Sequence, residues 1–447
     1  MNIKTNSKEI KKNDIFIALK GIKTDGHNYI EDAIKRGASY IISEKEYSDK
    51  TLIVDDTTKF LNDFLSNNFS FLINSMCLIG ITGTNGKTTS CFLIYELLKK
   101  LNIKCAYIGT IGFYIDEKIK DLDNTTPDIL TLYNLLLECK NNDVKVVVME
   151  VSSHALKLNR LYGIKFNYVV FTNLTKDHLD FHLNMSDYLE SKKKLFSMCK
   201  DESLKIVNSD DEYSNKFDYN ITYGFNSIDY KILSYKLFSN KLIYQFNYKN
   251  KKYKVKINMP GKYNIYNSII SIIILNNMGI KIKKIIKLLS KASLPNGRMD
   301  IIKVNKSYAI VDYAHTPDAV NNVLSSVNEF KKGKVITIIG CGGARDKTKR
   351  KDMGIISTNL SDYVIFTNDN PRDENPNDII NDIVKNLSNS NYKIILDRKD
   401  AIKEGIKMLN KNDILLILGK GHEDYQIING VKYHFNDKEE VLKYIKK

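Results

Sequence analysis

No run of eighteen or more apolar residues occurs in the 447-residue chain, so a membrane-spanning helix, which needs about 20, is not expected. The opening Met1-Asn2-Ile3-Lys4-Thr5-Asn6 has no apolar stretch of the kind that marks a secretory signal. Cysteines number only six, at positions 77, 91, 105, 139, 199 and 341, with no C-x-x-C pair. That scatter argues against a disulfide framework or a zinc site and favours reduced, buried thiols in a cytoplasmic protein. No fixed-period repeat is visible. Arginine is also scarce, with seven among 68 basic residues. Lys is the default cation of this chain, so an Arg suggests a place where a planar fork is wanted for carboxylate or phosphate. Arg160, Arg298, Arg345, Arg350 and Arg372 fall in or beside the motifs below, whereas structural ion pairs remain a reasonable reading of Arg36 and Arg398.

What is present begins with charge. The formal net charge is +16. The lysines are spread over the whole length instead of forming one basic stripe with interleaved aromatics, so a nucleic-acid partner is not inferred. A basic protein suits acidic small molecules and steers nucleotides toward it. The length suggests about three domains.

Along the chain, a small α/β unit comes first, with strands at Ile15–Leu19 and Tyr40–Ile42 and a helix at Tyr29–Arg36. A boundary near residue 75 precedes a region of alternating strands and helices, with strands at Val144–Met149, Tyr168–Phe171 and Lys205–Val207. Residues Tyr219–Ile257, rich in Tyr, Ile, Phe and Val, read as a β-meander inserted there. A new αβ alternation starts at Gly297, with strands at Tyr308–Val311, Val335–Ile339, Tyr363–Phe366, Lys393–Leu396 and Ile414–Leu418. Strands separated by helix-length segments predict mostly parallel α/β sheets. The division is 1–74, 75–296 and 297–447.

The most informative segment is Thr82-Gly83-Thr84-Asn85-Gly86-Lys87-Thr88-Thr89, between the apolar run Met76–Ile79 and an apolar helical pattern at Cys91–Tyr95. Strand, Gly-rich turn, Lys-Thr and helix make a nucleotide phosphate site. Backbone N–H groups converge on phosphate oxygens, Lys87 reaches the β- and γ-phosphates, and Thr88 is placed to hold Mg²⁺. The usual spacing asks for Gly where Ile81 stands, and the glycines are at 80 and 83 instead.

Other segments leave predicted strands with chemistry at their ends, where open α/β sheets bind ligands. Glu150 ends a buried strand and suits Mg²⁺. His178, in Asn173-Leu174-Thr175-Lys176-Asp177-His178, is a candidate metal ligand, a lone His there being otherwise structural. The plain reading of Tyr188–Phe196 is an amphipathic helix with Lys192, Lys193 and Lys194 on a solvated face. Asp312 suits a ribose hydroxyl, and His315 lies where a base would sit. Gly340–Arg350 is a second Gly-rich strand-to-helix turn, dense in cations and suited to an anionic group. Three strand-end loops then carry Arg345, Arg372 and Glu423, a set able to read a zwitterion, with forks for carboxylates and a carboxylate for an ammonium.

In this order, these motifs resemble the Mur ligases of peptidoglycan synthesis over nearly the whole chain. The resemblance implies three domains: a small uridine-nucleotide domain, a central ATPase and a C-terminal Rossmann-like domain. It implies ATP bound by Gly83, Thr84, Asn85, Gly86, Lys87, Thr88, Thr89, Asn267, Arg298, Asp312 and His315. Lys192, in Tyr-x-x-x-Lys-x-x-Leu-Phe, falls where the family carries a lysine carbamylated by CO₂. That anion would share Mg²⁺ with Thr88, Glu150 and His178, which reverses the plain reading of the lysine run. Ser7, Asn124, Thr125, Thr126, Ser152 and Arg160 match segments that hold the UDP-muramoyl peptide. Arg345, Asp369, Asn370, Pro371, Arg372, Gly419 and Glu423 match the amino-acid site. The string Asp369-Asn370-Pro371-Arg372 is similar to that of members adding meso-diaminopimelate, whose extra carboxylate needs a fork.

The implied reaction is ATP-dependent amide ligation. The γ-phosphoryl goes to the D-glutamyl carboxylate of UDP-N-acetylmuramoyl-L-alanyl-D-glutamate, and an amine of diaminopimelate attacks the acyl phosphate. The resemblance implies a monomeric cytoplasmic enzyme without nucleic-acid or membrane partners. Ligation of L-lysine is the close alternative; folylpolyglutamate synthesis and a basic P-loop nucleic-acid ATPase are more distant ones. The chain departs from the family pattern at Asn6, Lys8, Leu158, Ala344, Lys351 and Asn436.

Overall fold

The structure is a computed structural model describing residues 2–21 and 24–445. Its first sheet has four parallel strands in the order Ile3–Lys4, Ile15–Ile17, Tyr40–Ser43 and Thr51–Ile53. The helix Thr57–Asn68 follows, capped by the Asp56 carboxylate on the Lys59 N–H at 2.8 Å. Leu61 and Leu65 of this helix share one core with Leu132 and Leu136 of a helix beside the second sheet, Ile129–Asn141.

The second sheet has eleven strands. Its centre is parallel, with Cys77–Thr82 between Val146–Glu150 and Phe166–Phe171. These central strands are nearly continuous apolar runs because both faces are covered. Successive residues point to opposite cores. Ile79, Ile81, Val146 and Val148 pack with the helices Lys87–Lys100 and Tyr263–Asn277, while Leu78, Val147 and Met149 face Ile129–Asn141 and Met185–Ser197. The predicted meander is shorter than its sequence suggested. Ile221–Gly224 pairs in parallel with both neighbours, and only Tyr230–Phe238, Lys241–Tyr248 and Lys251–Ile257 run antiparallel. Composition marks strands but carries no direction, which is set by the partner that hydrogen-bonds.

The third sheet has six strands. The edge strand Asp300–Val304 is antiparallel to Ser307–Asp312, and the rest are parallel in the order Ser307–Asp312, Ile414–Leu418, Val335–Ile339, Tyr363–Phe366 and Tyr392–Ile394. Ends of both large sheets face a common cleft, because Asn85 of the Gly-rich loop donates to the carboxylate of Asp318 at 2.7 Å. All six cysteines are free thiols.

Candidate active site

The Gly-rich loop closes tightly on its neighbour. Gly83 has φ +149°, and a Cβ there would lie 1.8 Å from the Thr172 hydroxyl. The helix Lys87–Lys100 starts at Gly86 with no side-chain cap on its leading N–H groups, the condition for an anion site. The Lys87 ammonium folds back onto the carbonyls of Gly83 at 2.7 Å and Thr84 at 2.8 Å. Burial lowers its pKa, with Glu150 and Asp177 opposing.

Thr88, one residue on, donates its hydroxyl to Glu150 Oε2 at 2.8 Å. Glu150 is fully buried, and its other oxygen accepts from the Tyr107 phenol at 2.5 Å and the Thr110 N–H at 2.8 Å. The Thr110 hydroxyl reaches Oε2 at 3.2 Å. Tyr107 and Thr110 were not predicted, since they stand about forty positions before Glu150 and only strand pairing brings them there. Thr88 and Glu150 form an oxygen-only pair suited to a hard cation. Among the described residues, no three His, Cys, Asp or Glu side chains gather as a metal cage.

The cleft above this loop encloses about 440 Å³ and is lined by Asn85, Gly86, Thr89, Asn267, Arg298, Asp312 and His315, among others. Asn267 accepts from the Ser90 hydroxyl at 3.3 Å. Arg298 stacks 4.6 Å over the Tyr313 ring, and its Nη2 donates to the Thr88 hydroxyl at 3.3 Å. The two oxygens of Asp312 already accept from the Met299 and Ala314 N–H groups, each at 2.8 Å, so this carboxylate also fixes the turn it ends. The His315 Nδ1 bonds the Tyr313 carbonyl at 2.8 Å, and burial together with Lys349 holds its pKa at about 4.

Lys192 is buried, at 1% exposure, and among the described residues pairs with no carboxylate. Its ammonium lies 4.4 Å over the ring of Tyr188, whose phenol oxygen bonds the Thr84 hydroxyl at 3.1 Å. Burial and the Lys87 charge push its pKa well below the ordinary lysine value. The solvated-face reading therefore fails for Lys192, whereas Lys193 pairs with Glu190 at the surface. Spacing carried the signal: Tyr188, Lys192, Leu195 and Phe196 recur at helical intervals along one buried stripe.

His178 sits nearby in the left-handed region, φ 56°, edge-on to His154 at 4.8 Å. Burial and its cationic neighbours hold its pKa at about 3 despite Asp177 at 3.3 Å.

The Thr126 hydroxyl donates to the Glu150 carbonyl at 2.8 Å and accepts from the Ser152 N–H at 2.9 Å. Arg160 donates to the Thr126 carbonyl at 3.1 Å, and Thr125 pairs with Thr110 through their hydroxyls at 3.0 Å. Asn124 is exposed beside them. Ser7 lies apart in the first sheet's unit, buried, with its side chain hydrogen-bonded to Asp32.

In the third unit, Arg372 (φ 54°) donates through Nη1 to the carbonyls of Gly343 at 2.8 Å and Asn370 at 3.4 Å, while among the described residues Nε and Nη2 bond nothing. Glu423 Oε2 accepts from Asn370 Nδ2 at 2.8 Å and Lys420 Nζ at 3.1 Å, and among the described residues Oε1 bonds nothing. Gly419 (φ +112°) lets the Asp369 carboxylate approach, because a Cβ would lie 2.6 Å from its oxygen. Pro371 turns the chain, its carbonyl accepting from the Glu374 N–H at 3.1 Å. Arg345 is exposed and, among the described residues, pairs with no carboxylate.

Not every arginine in a motif faces the cleft. Arg350 is buried against Glu374 at 2.7 Å and Asp382 at 2.8 Å. Arg36 pairs with Asp32 at 3.0 Å on its own helix, and Arg398 with Asp437 at 2.7 Å in the interior.

The chain matches three families: Mur ligase middle domain over residues 81–275, Mur ligase, glutamate ligase domain over 297–421, and Mur ligase family, catalytic domain over 1–63. It is 43% identical to the UDP-N-acetylmuramoyl-L-alanyl-D-glutamate--2,6-diaminopimelate ligase of Clostridium tetani, covering 99% of this chain and 94% of that protein. A solved structure of a protein of that name shares 30% identity with a TM-score of 0.69, covering 99% of this chain and 94% of the other. A MurF ligase from Thermotoga maritima in complex with ADP shares the fold at 18% identity and a TM-score of 0.70, covering 99% and 96%.

Proposed function

Because this chain belongs to the Mur ligase family, we propose that it ligates meso-diaminopimelate to UDP-N-acetylmuramoyl-L-alanyl-D-glutamate, driven by ATP, in peptidoglycan precursor synthesis. The observation that carries the choice of amino acid is the pair of open groups in the third unit. The unpaired Nε and Nη2 of Arg372 offer a fork for the distal carboxylate, and the unpaired Oε1 of Glu423 accepts the distal ammonium. L-Lysine has no carboxylate for that fork.

ATP enters the cleft over the Gly-rich loop. Lys87 exchanges the carbonyls of Gly83 and Thr84 for phosphate oxygens, and Arg298 stands beside Thr88 to take negative charge. Thr88 and Glu150 would hold Mg²⁺, which neutralises phosphate charge when bound. Thr125, Thr126, Ser152 and Arg160 are the assigned seat of the muramoyl peptide, next to Glu150, so that its D-glutamyl carboxylate meets the γ-phosphoryl group in line. The amine of diaminopimelate then attacks the acyl carbon of the acyl phosphate, forming the amide bond as it loses a proton and inorganic phosphate leaves. The divisions 1–74, 75–296 and 297–447 assign muramoyl nucleotide, ATP and amino acid to successive units.

Lys192 acts as a carbamate. A buried amine without a carboxylate partner is neutral enough to add CO₂, and the resulting anion lies within the group formed by Tyr188, Thr84 and His178. His178 is neutral at physiological pH, as a ligand must be. No helix among the described residues is long and apolar enough to cross a membrane. The working form proposed is a cytoplasmic monomer.

The test is ATP-dependent ligation with UDP-muramoyl dipeptide, offering diaminopimelate and lysine separately. Wild type should use diaminopimelate. Arg372→Ala should lose roughly 30- to 4000-fold in kcat/KM for it, the equivalent of about 2–5 kcal/mol for one partner of a buried charge pair. The ratio of diaminopimelate to lysine use should fall with it. An unchanged ratio would remove Arg372 from the substrate.

A further inference from the structure

We infer that Lys420 is a specificity-determining residue, a resident ammonium that tunes the amino-acid pocket to a side-chain head group of zero net charge. The inference rests on the diaminopimelate reading and extends it to a residue with no role so far.

Lys420 is fully buried, yet its ammonium does not leave the pocket. It donates to Asn370 Oδ1 at 3.2 Å and to Glu423 Oε2 at 3.1 Å, and it lies 5.6 Å over the Tyr425 ring. Asn370 Nδ2 completes the hold on that same Glu423 oxygen at 2.8 Å. Glu423 therefore meets an incoming ammonium with its charge already shared.

A charge count over the side chains around this point is decisive. Among the charged side chains here that are not exposed to solvent, Arg372 and Lys420 bring two positive charges and Asp369 and Glu423 two negative ones, while Arg345 is exposed and its charge is screened by water. Behind them Arg398 is neutralised by Asp437, both at 0% side-chain exposure. The cluster is neutral as built. A zwitterionic head group leaves it neutral, whereas a lone ammonium leaves a net positive charge in a site with little water to screen it. Without Lys420 the same cluster stands one unit negative and matches a lone ammonium best. The lysine thus works against amino acids whose side chain ends in an amine alone, as the repulsive element that discrimination needs beside the attractive fork of Arg372.

The experiment measures kcat/KM for meso-diaminopimelate and for L-lysine in wild type, Lys420→Met and Lys420→Arg, each with its thermal midpoint. The inference expects the diaminopimelate-to-lysine ratio to fall about tenfold or more in Lys420→Met, carried by KM for lysine, and to hold in Lys420→Arg. A ratio in Lys420→Met equal to that of wild type, or one that falls equally in Lys420→Arg, overturns it. If Lys420→Met does not accumulate as folded protein, Lys420→Gln keeps a donor at the same two oxygens without the charge and is read in the same way. Failure of wild type to use diaminopimelate at all would instead overturn the underlying reading of the substrate.

Discussion

Removing the carboxylate of Asp437 should unseat the proposed amino-acid site from behind. The Arg398 guanidinium gives Nε and Nη2 to the two oxygens of Asp437, each at 2.7 Å. It also donates to the carbonyl of Leu418 at 2.9 Å and to that of Asn368 at 3.4 Å. Those carbonyls immediately precede Gly419 and Asp369, so one buried cation sets the start of both loops of the proposed amino-acid site. Asp437→Ala leaves that cation without a counter-charge, which costs about 3–5 kcal/mol for a buried pair. For a unit of this size, at about 2–4 °C per kcal/mol, the midpoint of its unfolding should drop by roughly 6–20 °C. Calorimetry of wild type and variant measures this, and at permissive temperature KM for the amino acid should rise more than KM for ATP. The double variant Arg398→Met/Asp437→Leu should recover much of the stability, because an apolar pair has no unpaired charge to bury. A loss below about 1 kcal/mol in Asp437→Ala would show that water reaches Arg398 and would refute the argument.

Two further outcomes follow. Lys192→Ala should lose activity on the order of a hundredfold or more, with partial rescue by formate, while Lys193→Ala and Lys194→Ala stay near wild type. Wild type under ¹³CO₂ should show a carbamate resonance that Lys192→Ala lacks, and equal behaviour of all three variants would leave Lys192 a buried amine with no carbamate role. Glu374, held at a pKa of about 2 chiefly by its hydrogen bonds to Arg350, has a folded pKa below its unfolded one. Its contribution is present above the unfolded value of about 4.3 and is lost as pH falls toward 2. The stability gap between wild type and Glu374→Gln, followed by denaturant titration, should be constant from pH 7 to about 5 and close below that; a gap that persists at pH 2 contradicts the pairing.

The parallel strands were legible because buried strands such as Val146-Val147-Val148 are apolar on both faces, and strand-end positions of Lys87, Glu150 and Arg372 follow from them. What sequence could not show is which polar groups pair across the sheet. Tyr107 reaches Glu150 from a neighbouring strand, and no local spacing encodes that meeting. Arg350 shows the same limit from the other side: it lies in a cation-rich turn, yet its partners Glu374 and Asp382 absorb it into the scaffold. Lys420 is not legible in the sequence, because nothing in the string Gly-Lys-Gly-His-Glu tells a buried lysine from a surface one.

The posture of Lys87 has a thermodynamic consequence. Its ammonium gives up bulk water when the protein folds, since the carbonyls of Gly83 and Thr84 already hold it. On the proposed reading of the ATP site, nucleotide arrival exchanges one set of oxygens for another instead of stripping hydration from a free cation. The dehydration cost falls on the stability of the fold, and affinity for ATP keeps the difference between phosphate and carbonyl as partners. The ammonium is thereby already drawn onto the loop before any ligand is there, held by two hydrogen bonds from its side chain to backbone carbonyls.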